Sequence, residues 1–114
     1  MKHRIVIGLC EKVRLVGALK EKEVIARVDT GAMSSSLDEK LAAELGFVLT
    51  GKHKTITSAS GVTKRPVVRV VLEIHGKRIE EDFTTIDRAH MKYVALIGQD
   101  ILKKEGFLVD PLLE

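Results

Sequence analysis

The sequence predicts a small, mostly-β protein, closed or sandwich-like, with two short helices. Three observations carry this. Roughly seven short apolar runs of strand length follow one another, separated by compact turn signals. Only two stretches switch to a helical period. Aromatic residues make up 4% of the chain and Trp is absent, so the core has to be aliphatic.

Residues 3–9, HRIVIGL, read as the first strand, and 12–19, KVRLVGAL, as the second. Residues 23–29, EVIARVD, form the third after the polar turn KEKE; Val24, Ala26 and Val28 alternate with Glu23, Ile25 and Arg27, the pattern of a half-buried strand. At 37–45, LDEKLAAEL, the period changes. Leu37, Leu41 and Leu45 recur every four residues, Ser36 and Glu39 have capping-box spacing, and Gly46 stands at the expected stop, so a two-turn helix is predicted. Residues 54–60, KTITSAS, are strand-like and run into a hairpin signal at Ser60–Gly61. Residues 66–75 alternate with Val68, Val70, Leu72 and Ile74 on one face; Gly76–Lys77 makes the next turn, and 78–86, RIEEDFTTI, returns as the hairpin partner. YVALIG, 93–98, is apolar on both faces and reads as a central strand. QDILKKE is the second helix, with Gly106 as its stop, and FLVDPLL, 107–113, is the last strand.

A chain of 114 residues suits one domain, spanning 1–114. Nineteen Lys and Arg against sixteen Asp and Glu give a formal charge of +3, too small and scattered for a nucleic-acid stripe; the longest basic cluster is Lys52–Lys54 with His53 inside it. Cys10 is alone, which excludes an intrachain disulfide, and its apolar setting reads as packing. No stretch reaches membrane-spanning length, and the N-terminal apolar run is too short for a signal segment, so a cytoplasmic location is expected. His3, His53, His75 and His90 are scattered without Cys companions, and no Gly-x-x-x-x-Gly-Lys loop occurs, so neither a metal site nor any other cofactor is expected.

The chemistry concentrates at 24–38, VIARVDTGAMSSSLD, where a buried strand pattern runs into Asp29, Thr30, Gly31 and Ala32. The plain explanation is an Asp capping a turn through its own backbone. The sharper one makes Asp29 half of a carboxylate pair. A chance Asp-Thr-Gly occurs in about a few per cent of chains this long, so the tripeptide alone is weak. It is followed, after a hairpin-rich middle, by an apolar strand ending in Ile97–Gly98 and leading straight into a helix.

In that order these features resemble the retropepsin-like aspartic peptidases. The segments IGLCEKVRL (7–15), ARVDTGAMSSSLD (26–38), DRAHMKYVALIGQDIL (87–102) and VDP (109–111) are similar to a bacterial and archaeal branch of that family long labelled ATP-dependent zinc protease. The resemblance implies a small closed β-barrel and a non-covalent peptide hydrolysis. In that chemistry two neighbouring carboxylates share one proton; the ionised one activates a water and the protonated one polarises the scissile carbonyl. Asp29 would be the catalytic residue, Thr30, Gly31 and Ala32 its loop, and Ile97 and Gly98 the supporting strand. One Asp-Thr-Gly per chain then implies a homodimer, with the two Asp29 residues meeting at the two-fold axis and the terminal strands as candidates for interchain pairing. The substrate would be an extended peptide or protein, with an acidic one suggested, and neither nucleic acid nor membrane is an expected partner. A covering flap is expected at 57–65, with Ser58, Ala59, Ser60 and Gly61 around its tip. The alternative is a non-catalytic retropepsin-like dimerisation or peptide-binding module.

Several neighbours carry expectations of their own. Asp100 reads as the N-cap of the second helix. Asp87–Arg88 reads as a turn held by a local salt bridge, and Met91 as a core methionine. Gln99 stands where many relatives carry a basic residue, and so would remove an ion pair near the loop of Asp29.

Overall fold

The computed structural model describes residues 3–113, apart from the side chain of Ser58. Its elements run β1 (Val6–Ile7), β2 (Cys10–Val16), β3 (Glu21–Val28), β4 (Ser36–Asp38), α1 (Glu39–Leu45), β5 (Leu49–Ser58), β6 (Gly61–Ile74), β7 (Lys77–Ile86), β8 (Ala95–Ile97), α2 (Gln99–Glu105) and β9 (Leu108–Val109). Strands β2, β3, β8, β4, β7 and β6 pair in that order, and β2 pairs back onto β6, closing a barrel. β5 hangs outside the ring on β6.

The alternation that predicts the strands decides what faces inward. Val13 and Leu15 of β2, Val24, Ala26 and Val28 of β3, and Val68, Val70, Leu72 and Ile74 of β6 are all buried. Phe83, Leu37, Ile97 and Ile101 complete an almost wholly aliphatic interior. Outside, Lys12 meets Glu23, and Arg14 lies between Glu21 and Glu73. Arg14 thus crosses the seam where β2 meets β6; the hydrogen bond to Glu73 is the main cause of its raised pKa. Being exposed, such pairs steer register more than they stabilise.

The helix at 37–45 is shorter than its period suggests. Residues 36–38 form β4, wedged between β7 and β8, and α1 begins at Glu39. Asp38, whose carboxylate accepts the Leu41 N–H at 3.1 Å, is the N-cap, so the Ser36–Glu39 capping box does not form. Leu37, Leu41 and Leu45 are all buried as the period requires; the period reports burial, and pairing on both edges of β4 overrides it locally. Gly46, at φ 83°, closes α1 by donating to the carbonyls of Ala42 and Ala43.

The hairpins are longer than expected and their turns sit one residue earlier. β6 turns into β7 through His75 and Gly76, at φ 49° and 73°, the paired positive angles of a two-residue hairpin loop. β5 turns into β6 through Ala59 and Ser60, with Ser58 opposite Gly61. At the ends the expected strands shrink to β1 and β9, which pair with each other in parallel within the chain, Val6 opposite Leu108 and Ile7 opposite Val109. No helix among the described residues is long and apolar enough to cross a membrane.

The stretch before β8 departs from both local expectations. Met91 is 51% exposed, not in the core. No Asp87–Arg88 salt bridge forms among the described residues: Asp87 accepts the N–H of Ala89, while Arg88 is buried with its Nε donating to the Tyr93 carbonyl at 3.0 Å. The Arg88 N–H in turn binds Asp38 Oδ1 at 2.8 Å, tying this loop to the start of α1. Burial, and next the charge of Arg65, lower the Arg88 pKa; Asp38 and Asp29 oppose them.

Candidate active site

β3 ends at Val28 and delivers Asp29, half-buried, to the rim of the barrel beside the end of β8. The backbone of Asp29 continues the sheet by donating to the Ile97 carbonyl at 2.9 Å. Its carboxylate then folds back: Oδ1 accepts the Gly31 N–H at 2.9 Å, and the Ala32 N–H closes the turn onto the Asp29 carbonyl at 3.3 Å. The plain Asx-turn geometry is therefore present. It leaves Oδ2 uncommitted, for Asp29 has no ion pair and no bond to another side chain among the described residues. A Cβ on Gly31 would stand 3.3 Å from Asp29 Oδ1, tighter than side chains ordinarily pack, so the glycine keeps the carboxylate in place. Thr30 is exposed, and its hydroxyl has no partner within the chain among the described residues.

The loop is clamped from the other side by the junction of β8 and α2. Ile97 is 1% exposed, and Gly98 packs so closely that a Cβ there would lie 2.8 Å from the Ala32 carbonyl oxygen and 2.9 Å from Ser34 backbone atoms. Only glycine fits between two backbones at that distance. Gln99 donates its N–H to the Ala32 carbonyl and its Nε2 to the Thr30 carbonyl, each at 2.7 Å.

Asp100 is not the N-cap of α2; Gly98 holds that position. The Asp100 carboxylate instead reaches across to the buried Ser35, accepting its N–H at 2.9 Å and its hydroxyl at 2.7 Å, while Ser35 Oγ accepts the Gly98 N–H at 3.0 Å. The Ser35 carbonyl takes the Thr84 N–H from β7. Ser35 is thus a structural partner of the loop that the sequence pattern does not single out, and Gln99 and Asp100, which it does, hold the loop by bonds other than those expected. The only signal for Ser35 was the run of three serines, too small and polar for a strand face yet directly preceding a buried Leu.

A groove of about 450 Å³ runs from this loop to the β5–β6 hairpin. Gly31, Ala32, Met33 and Ser34 line one side and Thr55, Ile56, Thr57 and Arg65 the other. Asp29 adjoins it through Gly31. The hairpin expected as a flap walls this groove with its stems, while its tip residues Ala59, Ser60 and Gly61 are exposed and do not line it. A smaller cavity of about 170 Å³ continues past Ser34 between Lys52, His53, Lys54 and Asp82, and Lys54 Nζ bonds Ser34 Oγ at 2.6 Å where the two meet. Among the described residues no group of three or more His, Cys, Asp or Glu is placed to hold a metal ion, so the donors do not fit zinc.

Residues 16–104, from the end of β2 to α2, match the family described as gag-polyprotein putative aspartyl protease. The chain belongs to that family. Solved structures agree with it in fold. The EIAV protease, in complex with the inhibitor HBY-793, is similar with a TM-score of 0.65 and 21% identity over 86% of this chain and 88% of its own. The Simian Foamy Virus (mac) protease gives a TM-score of 0.60 at 14% identity, covering 82% and 91%. A Legionella pneumophila protein of unknown function is similar over 97% of this chain and 96% of its own, with a TM-score of 0.70 and 23% identity. No curated protein matches in sequence. The fold is therefore the retropepsin-like aspartyl protease barrel.

Proposed function

We propose that this protein is an aspartic peptidase whose carboxylate dyad is built from Asp29 of two protomers. The observation that carries the proposal is a lone Asp-Thr-Gly, held at the end of β3 by β8 and adjoining a groove walled by a hairpin. Among the described residues a single Asp29 has no second carboxylate to share a proton with, and its Oδ2 and the Thr30 hydroxyl are both uncommitted. Pairing with a second copy supplies both partners. The 114 residues act as one retropepsin-like domain in this scheme.

In the dimer one Asp29 is ionised and the other protonated. The ionised carboxylate takes a proton from the water between them as the water oxygen attacks the peptide carbonyl; the protonated one hydrogen-bonds the carbonyl oxygen as charge builds there. Collapse of the tetrahedral adduct breaks the C–N bond, and a proton passes to the leaving nitrogen. The groove suits an extended peptide, bound along the hairpin stems. Arg65 on its wall, and Lys52 and Lys54 in the cavity beyond Ser34, favour an acidic one, with the cytoplasm as the expected place of action.

The test is digestion of a peptide library from mildly acidic to neutral pH by wild type and Asp29→Asn. Wild type should cleave, with specific activity rising with protein concentration as dimer forms. Asp29→Asn should lose about a thousandfold or more in kcat while keeping fold and dimer, because the amide cannot accept the water's proton. A wild type that binds peptides and cleaves none would leave the second reading, a peptide-binding or dimerisation module. The exposed hairpin tip, standing clear of the groove, favours that reading.

A further inference from the structure

Gln99 sits at the first position of α2, where a side chain ordinarily points to solvent or serves its own helix. Here it crosses to a residue 69 positions away and donates from Nε2 to the Thr30 carbonyl at 2.7 Å. Its N–H holds the Ala32 carbonyl at the same distance. The two bonds bracket Gly31, whose own N–H is the donor to Asp29 Oδ1. Residue 29 is fixed by the sheet and Ser35 by Asp100; among the described residues the peptide between Thr30 and Gly31 is held by its own N–H on Asp29 Oδ1 and, from outside the turn, only by the Gln99 carboxamide on its carbonyl.

We propose that Gln99 is a positioning residue for Asp29. By gripping the Thr30 carbonyl it fixes the plane of the Thr30–Gly31 peptide, and that plane aims the Gly31 N–H at Asp29 Oδ1. The carboxylate is thereby turned so that Oδ2 is the oxygen presented outward. A neutral amide performs this without placing a cation beside the dyad. The inference rests on the peptidase reading for its effect on rate, and on the geometry alone for its effect on the loop.

Two variants test it, Gln99→Leu, which keeps length and helix propensity but cannot donate, and Gln99→Arg, which restores a donor of sufficient reach. In Gln99→Leu, kcat on a cleaved library peptide should fall about tenfold with KM within about twofold, the cost of one lost hydrogen bond in the transition state. Gln99→Arg should recover most of that loss, and its added cation should move the acidic limb of the pH–rate profile to lower pH. Independently of turnover, hydrogen exchange at the Gly31 N–H should quicken several-fold in Gln99→Leu and return toward wild type in Gln99→Arg. An unchanged kcat in Gln99→Leu, a loss that only follows the unfolded fraction and that Arg does not rescue, or an unchanged Gly31 exchange rate would each overturn the proposal. Should wild type cleave nothing, the peptidase reading fails, and the exchange rates still decide whether Gln99 holds the loop.

Discussion

The loop of Asp29 and the β5–β6 hairpin face each other across one groove and are built on opposite terms. Every residue from Ile97 to Asp100 bonds to the segment 29–35, through backbone, Gln99 amide, Ser35 hydroxyl or Asp100 carboxylate. In the hairpin, by contrast, β5 stands outside the closed ring, pairs with β6 alone and slips register between Leu49 and His53. Leu49 and Val62 on it are 66% and 67% exposed. The contrast separates two tasks. In the proposed dyad, a carboxylate that has to meet its counterpart within a hydrogen bond's reach is set on an over-determined junction. A wall that has to admit and release a chain is set where few buried contacts oppose movement.

The comparison breaks most severely at Gly98. Gly98→Ala forces a methyl against the Ala32 and Ser34 backbones, which cannot rotate away, so unfolding free energy should drop by about 2–3 kcal/mol, read from chemical denaturation. Ser35→Ala should cost about 2 kcal/mol in the same measurement, since it strips the Gly98 N–H of its acceptor and Asp100 Oδ1 of one of its two donors. At the other extreme, Val62→Ser on the hairpin should stay within about 0.5 kcal/mol of wild type. Its melting transition should stay unmoved, whereas Thr57→Ala, on a stem that lines the groove, should raise KM several-fold. A Val62→Ser protein that melts early would show the hairpin to be part of the cooperative unit and erase the contrast.

Much of the fold is legible from local pattern. The inward faces of β2, β3 and β6, the stops at Gly46 and Gly106, the central place of β8 and the hairpin opposite Asp29 all follow from period and turn chemistry. The readings that failed share a cause. Ser36–Asp38 looks helical because Leu37 has the right spacing, yet two neighbouring strands claim its backbone. Met91 looks like core because it is apolar, yet Arg88 fills that loop's interior by bonding to Tyr93. Asp100 looks like a cap because it begins a helix, yet a serine from another segment supplies better donors.

By itself the chain's order of residues determined the strand faces, the helix ends and the position of one carboxylate at the close of a buried strand, because those depend on neighbours within a turn or a pleat. Only the tertiary structure decided that β2 closes onto β6, that the terminal segments pair with each other, and that Gln99, Ser35 and Asp100 hold the loop of Asp29. Those partners lie 60 or more positions apart, at separations of 69 for Gln99–Thr30 and 65 for Asp100–Ser35. No local period encodes them; the Ser35 pairings form because closing the barrel buries their polar groups together, where each must find a donor or an acceptor, and the exposed Gln99 bond follows from the approach of the two segments.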